Sequence, residues 1–131
     1  MDLIQFKSLT WHNLVSPSEG DLNELKDKYG FHELDIEDCM SEHERPKIDE
    51  YDDYLFLVLH IPYYQKGSKR ILNAEIHMFI GDGYLITLHD GNLQVLNTFW
   101  DEIMGSEDAK DKYMSQGAGL FLYELINAFF E

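Results

Sequence analysis

Residues 30–64 read GFHELDIEDCMSEHERPKIDEYDDYLFLVLHIPYY, and this stretch decides the fold. It contains a helix-ending glycine at Gly30, a short acidic helix over residues 34–40, a turn fixed by Pro46, and a nearly continuous apolar run over residues 55–61. An apolar run of this length between turn residues is typical of a central strand that is covered on both faces.

The rest of the chain supplies neighbouring strands and covering helices. The predicted strands cover one or two segments of residues 3–15, then residues 47–51 at an edge, 54–64, 72–80 and 84–89, with turns at 52–53, 66–69 and 81–83. The first predicted helix starts with Ser16 as N-cap and Pro17 at its first position, and it ends at Gly30. The second covers residues 34–40 with Leu34, Ile36 and Cys39 inward, the third starts at Asn92 and ends at Gly105, and the last covers residues 120–130. Residues 106–115 are expected to form a loop or an exposed helical turn. These patterns predict an α/β domain with a central mixed, mainly antiparallel sheet and helices packed on both faces.

The last helix lacks a stop signal and ends on Phe129, Phe130 and Glu131. We therefore expect a single domain over residues 1–131, cut inside a helix that continues in a longer protein. Such a cut would expose aromatic side chains that the missing segments normally cover, with Phe121, Phe129 and Phe130 as the candidates.

Composition limits the function classes. The formal net charge of −15 over 131 residues disfavours nucleic-acid binding and favours cations, basic partners or a high-salt setting, although it is equally typical of a merely solubilising surface. Cys39 is the single cysteine, which fits a reducing compartment. With no signal peptide and no apolar window near the ~20 residues of a membrane helix, we expect the chain to be soluble.

Several short motifs occur in a fixed order: Phe31-His32-Glu33-Leu34, then Glu37-Asp38, then Arg45-Pro46-Lys47, and then the strand over residues 51–59. Their order and spacing resemble the cytoplasmic N-terminal domain of CorA-type magnesium transporters. Glu33 stands where that family usually has proline, and Glu44 where it has glutamine. The resemblance extends to Trp11-His12-Asn13 and to residues 75–88 and 122–128.

The resemblance implies a domain truncated before the stalk helix and the membrane spans, so that the pore with its Gly-Met-Asn segment is absent. It implies a regulatory domain at the cytoplasmic face of the cell membrane, which senses intracellular Mg²⁺ or another divalent cation and gates that pore. It also implies a homo-oligomer, a pentamer in this family, in the full-length protein. Alternatives are a zinc-type relative of the same family, or a soluble cation- or protein-binding module without a pore.

Two acidic clusters are candidates for weak Mg²⁺ binding, namely Asp35, Glu37, Asp38, Glu42 and Glu44, and then Asp49, Glu50, Asp52 and Asp53. The simpler interpretation is a solvated acidic face. In at least one member of the family that the chain resembles, an acidic regulatory residue follows the aromatic pair at the end of the long strand, and Gln65 occupies that position here. Since an amide is a poorer Mg²⁺ ligand, that site is expected to be missing or differently built, and the metal ligands stay unknown.

The other chemistry-bearing residues favour structural roles. His60 and His77 could face each other across a hairpin with His89 on the next strand, which would give a zinc site only with a fourth ligand. Hydrogen-bonded sheet histidines are the commoner case. Arg45-Pro46-Lys47 is more typical of a turn, with Arg45 paired to a carboxylate such as Glu42, than of an anion site. Acidic neighbours should raise the pKa of Cys39, and with no catalytic constellation or required cofactor we predict that the domain is not an enzyme.

Overall fold

The computed structural model describes residues 2–41 and 43–130. The elements in this part of the chain are β1 (Asp2–Phe6), β2 (Leu9–Val15), α1 (Glu19–Tyr29), α2 (Glu33–Met40), β3 (Lys47–Glu50), β4 (Tyr54–Gln65), β5 (Arg70–Gly81), β6 (Tyr84–His89), α3 (Gln94–Met104), α4 (Glu107–Met114) and α5 (Ala118–Phe129). All predicted strands are present within a few residues of their expected bounds.

The six strands form one sheet in the order β1-β2-β6-β5-β4-β3. Strands β3 to β6 are successive antiparallel neighbours, and β1 pairs antiparallel with β2. The β2–β6 pair is parallel, with Trp11 opposite Leu85. The sheet is therefore mixed and mainly antiparallel, with β3 at an edge, as the sequence predicts.

Two separate cores cover the two faces of the sheet. One contains Leu22 and Leu25 of α1, Ile36 of α2 and the strand residues facing them. The other joins the opposite face to α3, α4 and α5 and includes Trp11 and Phe121. Successive side chains of a strand point to opposite faces, and both faces are covered by a core. Odd- and even-numbered positions of a central strand are therefore both apolar, which explains the continuous apolar run in β4.

The first helix starts two residues later than predicted. Ser18, not Ser16, is the N-cap, and it forms a reciprocal capping box with Asp21. Ser16 instead has a positive φ of 47° and donates its backbone N–H to the carbonyl of His89 at 2.7 Å, which ends β2 beside β6. Gly30 ends the helix in the left-handed conformation, as expected.

The C-terminal helices differ from the prediction in three respects. Leu93 rather than Asn92 occupies the N-cap position of α3. Residues 107–114 form a complete helix, α4, because Ser106 caps it and Ala109 and Met114 are buried. The expected exposure of Phe121 and Phe129 is wrong, since both are buried against α3 and the sheet, whereas Phe130 is exposed.

The β4–β5 hairpin extends beyond the sheet. Strand β3 pairs with residues 55–58 of β4, and β6 pairs with residues 77–81 of β5. Residues 59–65 and 70–76 therefore pair only with each other, closing at Gln65 opposite Arg70. Glu75 lies where this two-stranded extension joins the rest of the sheet, and it borders the candidate site described below.

Candidate functional site

Helix α2 places a carboxylate inside the protein. The His32 side chain caps α2 by accepting a hydrogen bond from the Leu34 backbone N–H, and Ile36 is fully buried. With Ile36 facing the core, the rotation of α2 about its axis buries Asp35, which is 1% exposed, and leaves Leu34 58% exposed. The prediction that Leu34 points inward is therefore wrong, and Asp35 does not belong to a solvated face.

Two tyrosine hydroxyls satisfy the buried Asp35 carboxylate. Tyr51 donates to Oδ1 at 2.9 Å and Tyr54 donates to Oδ2 at 2.7 Å. The Tyr54 hydroxyl oxygen also accepts the backbone N–H of His32 at 2.8 Å. Burial, with Asp35 as the neighbouring charge, raises the pKa of Tyr51 to about 12 and raises the pKa of Tyr54 further. These hydroxyls consequently act as fixed hydrogen-bond donors.

The fold joins the two acidic clusters at one point. Ligand atoms of Asp35, Asp38 and Asp49 lie within 4.8 Å of one another. Lys47 already occupies this group, because its ammonium pairs with Asp38 and lies 3.2 Å from Asp49 Oδ2. These partners raise the pKa of Lys47. Within residues 2–41 and 43–130, this is the one cluster of three potential metal ligands, and Lys47 neutralises it in part.

The other predicted acidic residues have a simpler environment. Glu44 is half-buried, the Glu42 prediction lies outside the described residues, and the exposed side chains are Glu37, Glu50, Asp52 and Asp53. These exposed side chains fit a solvated acidic face. They neither converge on Asp35 nor form a second close cluster in the described part of the chain.

The three sheet histidines do not converge. In the β4–β5 register His60 lies opposite Glu75, and His77 lies opposite Val58. His60 and His77 share the face covered by α1 and α2. His89 is buried and its Nε2 lies 2.9 Å from the side-chain oxygen of Asn13, on the opposite face with Trp11 and Thr87. The alternative of a zinc site with three imidazoles is therefore wrong, because alternation along β6 directs the His89 ring to Asn13 on the other face.

Glu75 is the group that links the remaining two imidazoles. Its Oε1 lies 3.4 Å from His60 Nε2, and its Oε2 lies 3.3 Å from His77 Nε2. Burial lowers the pKa of His77, while the Glu75 carboxylate partly offsets that effect. Glu75 and His77 line an open cavity of about 420 Å³ between the strands and the end of α2, and its opposite wall includes Cys39 and His43.

The remaining candidates have structural roles. Burial raises the pKa of the Cys39 thiol well above its usual range, with Asp35 and Asp38 adding to the effect, so its acidic neighbours act as predicted but are not the main cause. Lys47 binds carboxylates, which argues against an anion site at residues 45–47. The proposed pairing of Arg45 with Glu42 involves a residue that the structure does not describe. Gln65 is exposed, and its side-chain oxygen accepts a hydrogen bond from the Ser68 hydroxyl at 2.7 Å.

Comparison with known proteins identifies the family. A family model described as CorA-like Mg²⁺ transporter protein matches residues 6–131. The chain belongs to this family. Its sequence is 26% identical over 120 residues to YfjQ of Bacillus subtilis, covering 92% of this chain and 36% of that protein.

Solved structures show the same fold. The soluble domain of CorA from Methanocaldococcus jannaschii matches with a TM-score of 0.75 at 21% identity, over 98% of this chain and 50% of that one. The ZntB cytoplasmic domain from Vibrio parahaemolyticus matches with a TM-score of 0.69 at 12% identity, over 95% of this chain and 49% of that one. Both likenesses establish the architecture of the CorA-like domain, a mixed sheet with helices on both faces.

The chain spans 33% to 39% of the length of three curated relatives. Each helix among residues 2–41 and 43–130 falls short of the length and apolar character that crossing a membrane requires.

Sequence reasoning missed two features of the site. The buried Asp35 was grouped with exposed carboxylates, although its position beside Ile36 on a short helix could have indicated an inward direction. The other is Glu75: strict alternation along β5 places it on the same face as His77, and this two-residue spacing is the signal that could have indicated their contact.

Proposed function

We propose that this chain is the cytoplasmic regulatory domain of a CorA-like divalent-cation transporter, and that it senses intracellular Mg²⁺ and gates a pore outside the chain. The observation that carries the proposal is the family match over residues 6–131, together with the fold of the soluble domain of CorA. The names of two relatives, cobalt/magnesium transport proteins, support a divalent cation as the signal. A sensing role uses no catalytic group, so the prediction of a non-enzymatic domain accompanies this proposal.

The proposed mechanism depends on charge. Each chain has a formal net charge of −15, so copies in a homo-oligomer, a pentamer by family resemblance, repel one another. A repulsion of about 4 kcal/mol acts between two carboxylates 4 Å apart at an effective dielectric constant of 20. Mg²⁺ that bridges carboxylates of adjacent protomers would offset this repulsion and hold the domains together, and its loss would let them separate.

The structure favours exposed carboxylates as the bridging ligands. The internal group of Asp35, Asp38 and Asp49 already has tyrosine and lysine partners, so an entering ion would have to displace Lys47. Carboxylates such as Asp52 and Asp53 are exposed to solvent, and Mg²⁺ dehydrates reluctantly and commonly binds through one or two carboxylates and several waters. Weak binding of this kind suits a sensor of millimolar Mg²⁺.

Gln65 provides a sharp test. It stands at the position where at least one member of the resembled family has an acidic regulatory residue, and its exposed amide is bonded only locally, to Ser68, among the contacts described. We expect Gln65→Glu to lower the Mg²⁺ concentration at which the protomers associate, because it adds a carboxylate at that position. Ser68→Ala is the matched control, since it removes the same local hydrogen bond without adding charge, and it should leave the Mg²⁺ dependence unchanged.

The proposal is tested in the complete protein that contains this chain. Small-angle scattering or interprotomer cross-linking is measured while Mg²⁺ is titrated from about 20 μM to about 20 mM, a range of about three decades around weak-site affinities. The proposal expects compact domain packing at high Mg²⁺ and separation on chelation. Packing that stays the same across the titration would refute the gating role, and a reading frame without two apolar spans and a Gly-Met-Asn segment would favour a binding module without a pore.

A further inference from the structure

The imidazole of His77 has a buried nitrogen without a hydrogen bond. Its side chain is 7% exposed, and Nε2 has no hydrogen-bond partner among the described residues. An unpaired buried polar atom costs about 1–3 kcal/mol, so most such atoms in proteins are satisfied by a protein group, a water or an ion. The His77 side chain lines the 420 Å³ cavity beside this nitrogen.

The nearest polar atom has the position of a second metal ligand. Glu75 Oε2 lies 3.3 Å from His77 Nε2, but without hydrogen-bond geometry. In a tetrahedral site with metal–nitrogen and metal–oxygen distances of about 2.1 Å, neighbouring ligand atoms are about 3.4 Å apart. The observed separation therefore matches one edge of such a site, with the cavity on the open side.

His60 holds the carboxylate from its other side. Its Nε2 lies 2.7 Å from the Glu44 carbonyl oxygen and 3.4 Å from Glu75 Oε1. Both partners are acceptors, so this nitrogen carries the proton and donates. His60 is thus a positioning residue that orients Glu75 and leaves Oε2 directed at His77, which is the usual role of groups that support a metal ligand.

The environment suits a cation with an affinity for imidazole. Among the described residues that line the cavity there is no lysine or arginine, in contrast to the aspartate cluster, which contains Lys47. A net charge of −15 raises the local concentration of cations. Imidazole with carboxylate favours Zn²⁺, Ni²⁺ or Co²⁺, whereas Mg²⁺ prefers oxygen ligands alone.

We propose that His77 Nε2 and Glu75 Oε2 bind a divalent transition-metal ion of the Zn²⁺ class in this cavity, with water completing its coordination. The site lies within one chain. It therefore requires neither oligomerisation nor the gating role proposed above, and its test can fail without affecting that role.

The test uses the 131-residue chain and Zn²⁺ in excess Mg²⁺. Isothermal titration calorimetry should show one Zn²⁺ bound per chain, and the melting temperature should rise with Zn²⁺ concentration. His77→Gln and Glu75→Gln should each weaken binding by at least about tenfold. His32→Asn and Asp38→Asn are the controls, since they change an exposed imidazole that caps α2 and a member of the aspartate cluster, and both should bind as the parent chain does.

A second measurement requires no substitution in the cavity. With ¹⁵N-labelled histidine, Zn²⁺ should shift the Nε2 resonance of His77 and leave unchanged that of His12, which is buried against Tyr29 and does not line the cavity. Absence of binding at millimolar Zn²⁺, an unshifted His77 resonance, or loss of binding in Asp38→Asn alone would each overturn the proposal, the last by assigning the ion to the aspartate cluster.

Discussion

Replacing Asp35 with asparagine tests whether its buried carboxylate holds α2 against the sheet. The substitution keeps the shape of the side chain but turns one acceptor oxygen into an NH₂ group that only donates. At present Oδ1 accepts from Tyr51 at 2.9 Å and Oδ2 accepts from Tyr54 at 2.7 Å. In the variant one hydroxyl must face a donor, and both hydroxyls lose a charged acceptor.

The expected loss follows from these two bonds. A hydrogen bond to a charged group contributes about 1.5–3 kcal/mol, and an asparagine oxygen can retain a weaker, neutral version of one of them. We therefore expect Asp35→Asn to lower the free energy of unfolding by about 2–3 kcal/mol. Tyr51→Phe removes one donor and leaves the bond from Tyr54, so it should cost about 1–2 kcal/mol.

Urea denaturation, followed by the fluorescence of the buried Trp11 and of Trp100, measures these differences. The midpoint should fall while the slope stays constant, because the surface exposed on unfolding is unchanged. In the double variant Asp35→Asn with Tyr51→Phe, the two losses should be less than additive, since they share one hydrogen bond. A loss below about 0.5 kcal/mol for Asp35→Asn, the scatter typical of surface substitutions, would refute the reasoning.

Two further predictions concern the backbone and pH. Gly83 has a φ of +79°, and an added Cβ would lie 2.9 Å from the Ser8 carbonyl oxygen, so Gly83→Ala should destabilise the protein by about 1–2 kcal/mol in urea titrations. Gly119→Ala, at an open position of α5, should instead stabilise it by about 0.5–1 kcal/mol, and equal effects at the two sites would contradict the argument. Burial, with Lys28 adding to it, lowers the pKa of His12 from 6.5 to about 4, so the unfolded chain binds more protons and stability should fall as pH decreases from 6.5 towards 4. The His12 contribution is a loss of about 1 kcal/mol in the free energy of unfolding between pH 7 and pH 5.5. His12→Gln should make stability fall less steeply with decreasing pH, but some dependence should remain because burial also lowers the pKa of His77 and His89. An unchanged pH dependence would show that His12 is not responsible.

Local patterns were sufficient for most of the architecture. The strands over residues 54–64 and 84–89 and the helix end at Gly30 depend on apolar runs, turn residues and a left-handed glycine, all of which act over a few residues. The errors occurred where a distant partner overrides local preference. Ser16 has good N-cap chemistry, but its N–H bonds to the carbonyl of His89, a contact that sequence spacing cannot reveal.

The sequence by itself determined the acidic charge, the family motifs and the alternation of the strands, because these are properties of composition and short spacing. Only the tertiary structure decided which charged groups meet. The strand register places Glu75 between His60 and His77 and turns His89 to the other face, and the phase of α2 buries Asp35 against two tyrosines. Register and helix phase follow from the packing of whole faces, so no local pattern specifies them.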